Sequence, residues 1–282
     1  MDSSYSFEIG GKTYDLENRS LIAGILNRTK DSFYDKGAFY DFDKFLIHAD
    51  SLVKDGADIL DIGGVKAGSG SPISEAEELE RVIPAVESIK KRFDVIISVD
   101  TWNANVIREA FSKGALIGND ISGFSDPQYL VAAKDYDASV VLTHIRLRPR
   151  VDDPNPVYND LIKDITEFFK AKLLEVDSVK IPRNKVVIDL GLDLGKTSEQ
   201  SLMLLRNSAK FQRELKRPIY LSISMKGCLG ELLNLEVNQR GPATISAITY
   251  GALNGCRIMR VHDVKAAKQA LAIIDNLREF YN

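Results

Sequence analysis

Cysteine, histidine and tryptophan are scarce in this chain, at two, three and one residues out of 282. Cys228 and Cys256 have neither a CxxC spacing nor a flanking histidine cluster. That excludes a structural zinc site and a disulfide scaffold, and leaves reduced thiols as the expectation. Three dispersed histidines supply no metal-binding triad. Positive charge is not in surplus either: 37 Lys and Arg stand against 40 Asp and Glu, a formal net charge of -3. A broad nucleic-acid surface is therefore excluded, and any anion site must be local. No apolar run reaches the ~20 residues that span a bilayer. The opening MDSSYSFEIGGKTYDL lacks a basic segment followed by an apolar stretch, so the expectation is a soluble, cytoplasmic protein with no membrane partner.

What is present is alternation. Hydrophobic residues at 44% and charged ones at 27% suffice for a large core. Short β-branched runs fall near 20–26, 57–62, 95–100, 116–120, 138–144, 185–190, 218–224 and 257–261. Between them lie amphipathic helical patterns near 41–55, 74–92, 103–113, 126–135, 156–177, 197–214, 241–254 and 264–280. Asp41, Ser74 (with Glu77 three residues on), Asp126 before Pro127, and Thr197 supply helix-start chemistry. Gly56, Gly114 and Gly255 fall where helices should stop. Strands joined by helices of this length pair in parallel. Eight such units with no composition break predict an α/β fold, a (β/α)8 TIM barrel forming one domain over 1–282. The alternative, an open doubly wound sheet, concentrates ligand groups at one switch point, whereas nearly every unit here ends in a polar residue. Residues 5–16 read as a hairpin turning at Gly10-Gly11, within an N-terminal extension (1–19) that covers the barrel floor.

The polar strand ends form one chemical set: Asn27, Asp61, Asp100, Asn119, Thr143, His144, Asp189, Lys226, Arg260 and His262. A lone Asp after a strand is more often a helix cap than a functional group. Asp61, Asp100, Asn119 and Asp189 together are harder to dismiss. In a barrel they meet in one mouth, where carboxylates and amides without clustered His or Cys suit a flat heterocycle bearing several N–H donors and a carbonyl. Lys226 adds a donor for a ring nitrogen or carbonyl. Arg260 and His262, two apart on the last strand and next to a helix start, read as an anion or phosphate site. GLDLGKT at 191–197 fails as a phosphate-cradling loop because three residues, not four, separate its glycines. GGVKAGSGSP at 63–72 lacks the third glycine of a dinucleotide fingerprint and reads as an active-site loop. Phe33 and Tyr34, in the long segment after the first strand, are placed to close over a bound ring. Phe42 and Phe45 fit a helix core face, and His48 has no chemistry assigned.

In this order, GILNRTKDSFYDKG, ADILDIGG, ISVDTWNANV, GNDISG, the strand ending Thr143-His144, VVIDLGLDLGK, SISMKG and MRVHDV resemble the dihydropteroate synthases, pterin-binding barrels of folate biosynthesis. The similarity spans all eight strand ends. It implies that Asp100, Asn119, Asp189 and Lys226 hold a pterin, with Ile121 and Thr143 beside it. It also implies that Asn27, Arg260 and His262 handle pyrophosphate with its Mg2+, Asn27 being the metal-side residue. Lys226, Arg260 and His262 are the implied catalytic groups. The implied reaction condenses a pterin-methyl pyrophosphate with p-aminobenzoate or a related amine. The implied partners are those small molecules and a second copy of the chain, in a homodimer built through the last helices. Two alternatives are a pterin-binding protein without catalysis, which has no need of Asn27, Arg260 and His262, and a pterin-dependent methyltransferase acting on a corrinoid.

Departures cluster around the second substrate. Where the family carries ESTRPG after DIGG, this chain has Val65-Lys66-Ala67-Gly68-Ser69-Gly70, and SRKS has become Ser224-Met225-Lys226-Gly227. Arg28 replaces an apolar residue, and Leu194 replaces the Phe of GFGK. NRTKDSFYDKG together with GGVKAG is most similar to the divergent second synthase-like paralogue of mycobacteria. The pterin and anion groups stand while Arg28, Asp31, Phe33, Lys66, Ala67 and Gly227 mark altered second-substrate loops. Lys66 and Arg28 are the residues expected to replace lost cations and to bind a different or larger anionic amine.

Overall fold

The computed structural model describes residues 5–29, 41–65, 68, 70 and 73–279. Eight parallel strands close into a barrel in chain order. They are β3 (Leu21–Asn27), β4 (Ile59–Gly63), β5 (Ile96–Asp100), β6 (Ile117–Asp120), β7 (Ser139–Thr143), β8 (Val186–Asp189), β9 (Ile219–Leu221) and β10 (Cys256–Val261), and β10 pairs with β3 to close the ring. The expected TIM barrel is thus present, with helices on its outer face.

Side-chain alternation explains how these strands serve two cores at once. Outward residues such as Ile22, Leu60, Val99, Leu142 and Met259 are buried against the surrounding helices. Inward residues at the lower end of the strands, including Leu21, Ile59, Ile117, Val141, Val187 and Ile258, form a second cluster. That cluster is completed from below by the hairpin β1 (Ser6–Ile9) and β2 (Lys12–Asp15), which contributes Phe7 and Ile9, with Leu16 following. Gly10 and Gly11 turn it with φ of 57° and 78°, the left-handed pair a two-residue hairpin turn requires. Lys185, almost fully buried, ties the hairpin on: its ammonium pairs with Glu8 at 3.2 Å and with Asp137 at 2.6 Å.

The helices are α1 (Phe42–Lys54), α2 (Glu75–Arg92), α3 (Ala104–Ser112), α4 (Pro127–Asp135), α5 (Leu161–Ser178), α6 (Ser198–Arg206), α7 (Ser208–Leu215), α8 (Gly227–Leu233), α9 (Gly241–Leu253) and α10 (Val264–Glu279). The expected caps form: Asp41, Ser74 and Asp126 each accept a first-turn N–H, and Thr197 with Gln200 makes a full capping box. One predicted helix, 197–214, is two, broken at Asn207, whose N–H and side-chain amide both turn back onto α6 carbonyls. The predicted strand 218–224 ends at Leu221, because Ser224 and Met225 leave the ladder to form a turn, Met225 at φ 59°. No helix among the described residues is long and apolar enough to cross a membrane.

Candidate active site

At the C-terminal ends of the strands one cavity of about 330 Å³ opens. Its wall holds Asp100, Asn119, Ile121, Thr143, Asp189 and Lys226, the six residues expected around a pterin. Asn27, Arg260, His262 and Gly227 line the same space. All sit on inward positions of their strands or on the turns that continue them. Asp31, Phe33, Lys66 and Ala67 lie outside the described residues, as does Tyr34.

Beneath this wall lies Asp61, a fully buried carboxylate one strand layer down. It accepts from Ser98 Oγ at 2.6 Å, from Asn119 Nδ2 at 3.1 Å and from Arg260 Nε at 2.6 Å. Arg260 spans two carboxylates, since its Nη2 donates to Asp100 at 2.7 Å. Burial alone lowers the guanidinium's pKa; Asp61 and Asp100 more than reverse this, so it stays charged. Burial holds Asp100 above the usual carboxylate range, against the pull of Arg260 and with Asp61 adding to the rise. Asp61 thus orients two groups of the mouth, Asn119 and Arg260, without lining the cavity itself.

His262 is pinned by Ser224, whose Oγ accepts its backbone N–H at 3.2 Å and lies 2.9 Å from Nδ1. Burial, then Arg260 and His48, lowers the pKa of His262 to about 3. The ring is therefore neutral.

The Asp189 side is built from a tight turn. Asp189 Oδ1 accepts the Gly191 N–H at 2.7 Å, and Gly191 stands at φ 66° where a Cβ would lie 1.8 Å from the His144 carbonyl oxygen. Only glycine fits there. Lys196, buried behind this turn, donates to the carbonyls of Gly191 (2.8 Å), Leu194 (2.9 Å) and His144 (3.3 Å). Three acceptors match the three N–H groups of its charged form, although burial and then Lys226 pull its pKa down to about 7. The segment 191–197 is thus a turn, as its glycine spacing implies. Lys226 itself donates to the Leu192 carbonyl.

Two strand-end residues do not reach the mouth as expected. His144 follows Thr143 directly, so its side chain takes the opposite face and packs edge-on against Phe168 of α5 at 4.7 Å. Burial, then Lys196, drives its pKa to about 2. Arg28 turns away to α2, where its Nη1 donates to the Glu80 carbonyl at 3.2 Å and the Arg81 carbonyl at 3.0 Å. Pro84 inside α2 has no N–H to give Glu80, and Arg28 fills that vacancy. Its guanidinium also lies 4.8 Å over the Phe42 ring. Sequence reasoning missed Ser222, Ser224, Asp193 and Met225, all in the cavity wall. Strand parity continued beyond β9 finds Ser222 and Ser224, and Asp193 stands where the first glycine of GFGK falls, a departure the same comparison that gave Leu194 exposes.

Comparison with known proteins agrees with this geometry. The family model described as pterin binding enzyme matches residues 23–262. The dihydropteroate synthase of Escherichia coli K12 is 35% identical over 266 residues, covering 94% of each chain. That of Clostridium beijerinckii is 35% identical over 271 residues, covering 95% of this chain and 98% of its own. Among solved structures, the Yersinia pestis dihydropteroate synthase in complex with a sulfonamide drug superposes with a TM-score of 0.92 at 36% identity, covering 98% of this chain and 99% of that one. The Clostridium difficile enzyme in the presence of pteroic acid gives 0.86 at 34% identity, covering 94% and 98%. The chain belongs to the pterin-binding enzymes and, within them, to the dihydropteroate synthase family.

Proposed function

We propose that this enzyme transfers a pterin-methyl group from its pyrophosphate to an aromatic amine, as the synthases of folate biosynthesis do. The observation that carries this reading is the single cavity in which Asp100, Asn119, Asp189 and Lys226 share a wall with Asn27, Arg260 and His262. The first four match the N–H and carbonyl pattern of a pterin: acceptors in Asp100 and Asp189, an amide in Asn119, a donor in Lys226. The last three offer an anion an amide, a fixed guanidinium and a neutral imidazole.

In the reaction the bond between the pterin methylene carbon and the pyrophosphate oxygen breaks, its electron pair leaving with the pyrophosphate. The amine nitrogen's lone pair forms the new C–N bond, and the amine then loses one proton to water. Arg260 and His262 stabilise charge on the departing oxygens. The carboxylates around the pterin tolerate positive charge developing on the ring. Mg2+ fits as a companion of the pyrophosphate: among the described residues no group of three or more His, Cys, Asp or Glu is placed to hold a metal, while Asn27 offers an amide oxygen in the cavity. Few protein donors plus phosphate oxygens are what this ion accepts, and it would neutralise the leaving group. A homodimer through the last helices is supported by exposed Tyr250 and Leu253 on α9 and Ile273 and Leu277 on α10. The two free cysteines, both buried, accord with a cytoplasmic setting.

Pyrophosphate release from 6-hydroxymethyl-7,8-dihydropterin pyrophosphate, followed with p-aminobenzoate and a panel of arylamines, tests the reading. Amine-dependent release is expected. Tight pterin binding with no release in any mixture would leave only a binding protein.

A further inference from the structure

The rim of the mouth carries a carboxylate that the transferase reading does not use. Asp193 lies on the turn after β8 and lines the cavity together with Lys226 and Gly227. It also borders a neighbouring cleft of about 500 Å³, shared with Leu194 and Gly68, which places it at the outer edge rather than over Asp100 and Asn119. Its backbone stands at φ 63°, the left-handed region that favours glycine and that aspartate enters more readily than most side chains. Two contacts hold it: Oδ2 accepts the Cys228 N–H at 3.2 Å, and its own N–H donates to Ser201 Oγ at 3.0 Å. A Cβ on Gly227 would lie 3.3 Å from the same Oδ2.

An internal carboxylate therefore occupies the first turn of α8, beside the place where an acceptor amine must approach. The described lining of the cavity holds three carboxylates, Asp100, Asp189 and Asp193, against two cations, Lys226 and Arg260, and the adjoining cleft adds Asp152 and Asp153 with Arg148, Arg150 and Lys196. Arg260 is already paired with Asp61 and Asp100, whereas Lys226 donates to the neutral Leu192 carbonyl and keeps its charge. Of the two cations expected to serve the acceptor, Arg28 is turned to α2 and Lys66 lies outside the described residues. The other rim residues, Val65, Leu194 and Met225, offer apolar surface to an aromatic ring.

We propose that Asp193 is a specificity-determining residue, making the acceptor end of the mouth favour an uncharged arylamine over one that carries a carboxylate. The proposal rests on the transferase reading for where the acceptor sits. A carboxylate brought to this rim meets a like charge in a partly desolvated site, a repulsion of several-fold to tenfold or more in affinity.

The test is calorimetric binding of p-aminobenzoate and its uncharged analogue p-aminobenzamide, in the presence of 6-hydroxymethylpterin and inorganic pyrophosphate. Wild-type protein is compared with Asp193→Asn, and with Asp193→Gly as a second variant; both residues tolerate the left-handed backbone. We expect wild type to bind p-aminobenzamide at least as tightly as p-aminobenzoate. Both variants should tighten p-aminobenzoate by about tenfold and leave p-aminobenzamide within about twofold. Equal shifts for both amines, no shift for p-aminobenzoate, or no binding of either amine to any form overturns the assignment. Pyrophosphate release is measured in parallel with the pterin pyrophosphate as donor. A charge-selective shift without release from any form would sink the transferase reading while leaving Asp193 as the selector of bound amines.

Discussion

Asp61→Asn probes the frame beneath the mouth. The carboxylate is fully buried and accepts three hydrogen bonds, from Ser98, Asn119 and Arg260. Asparagine keeps the shape, and with its oxygen toward Arg260 and Asn119 and its amide toward Ser98 it keeps most contacts. What it removes is the charge. Removing one partner of a buried ion pair costs about 3–5 kcal/mol, because the other charge is left uncompensated. Asp100, 2.7 Å from Arg260 Nη2, remains as a second counter-charge, so the lower end, about 3 kcal/mol, applies here. Urea unfolding of the apo protein reads this directly, and calorimetry with 6-hydroxymethylpterin reads the slip of Asn119 and Arg260 as an affinity loss of about tenfold. A stability loss below about 1 kcal/mol for Asp61→Asn refutes the reasoning, since Asp100 alone would then neutralise the guanidinium.

His144 and His262 are neutral in the fold, with pKa values of about 2 and about 3 set mainly by burial. Below pH 6.5 the unfolded chain gains protons that the folded chain does not, so their contribution is complete above that pH and is lost as pH falls. His144→Phe should lessen the decline in urea stability between pH 6 and 4 by about 1.4 kcal/mol per pH unit, and an undiminished decline contradicts the assignment. Arg28→Met should cost about 2 kcal/mol by exposing the Glu80 carbonyl's missing partner. In a Pro84→Ala background, where the helix supplies that N–H, the same change should cost at least about 1 kcal/mol less, and equal costs in the two backgrounds would exclude the link. Ser224→Ala should weaken pyrophosphate binding by about tenfold, spare the free pterin, and be rescued by Ser224→Thr; equal losses for both ligands would make Ser224 a packing residue.

The barrel was legible because each strand is a short β-branched run and each helix carries its own start and stop residues. What the sequence hid was non-local or sub-threshold. Helix α8 has seven residues, too few to show a period, and β9 has three because its turn begins early. The direction of Arg28 depends on a proline 56 positions away, which no local pattern reveals. His144 shows the opposite lesson: adjacent strand residues face opposite ways, so Thr143 and His144 cannot both enter the mouth. The same parity places Asp61, Asp100, Asn119, Asp189 and Arg260 correctly, and it separates Asp61 from the cavity wall by one layer. Asp193 was legible only as a departure at the first glycine of GFGK; its backbone conformation and its neighbour 35 residues on were not.

The hairpin of β1 and β2 stoppers the barrel at its lower end, with Phe7, Ile9 and Leu16 filling the bore. Among the described residues that floor offers no opening, and the cavity lies at the opposite end of the barrel. A ligand lodged deep, near Asp100 and Asn119, is fenced in once anything sits at the rim by Leu194 and Gly227.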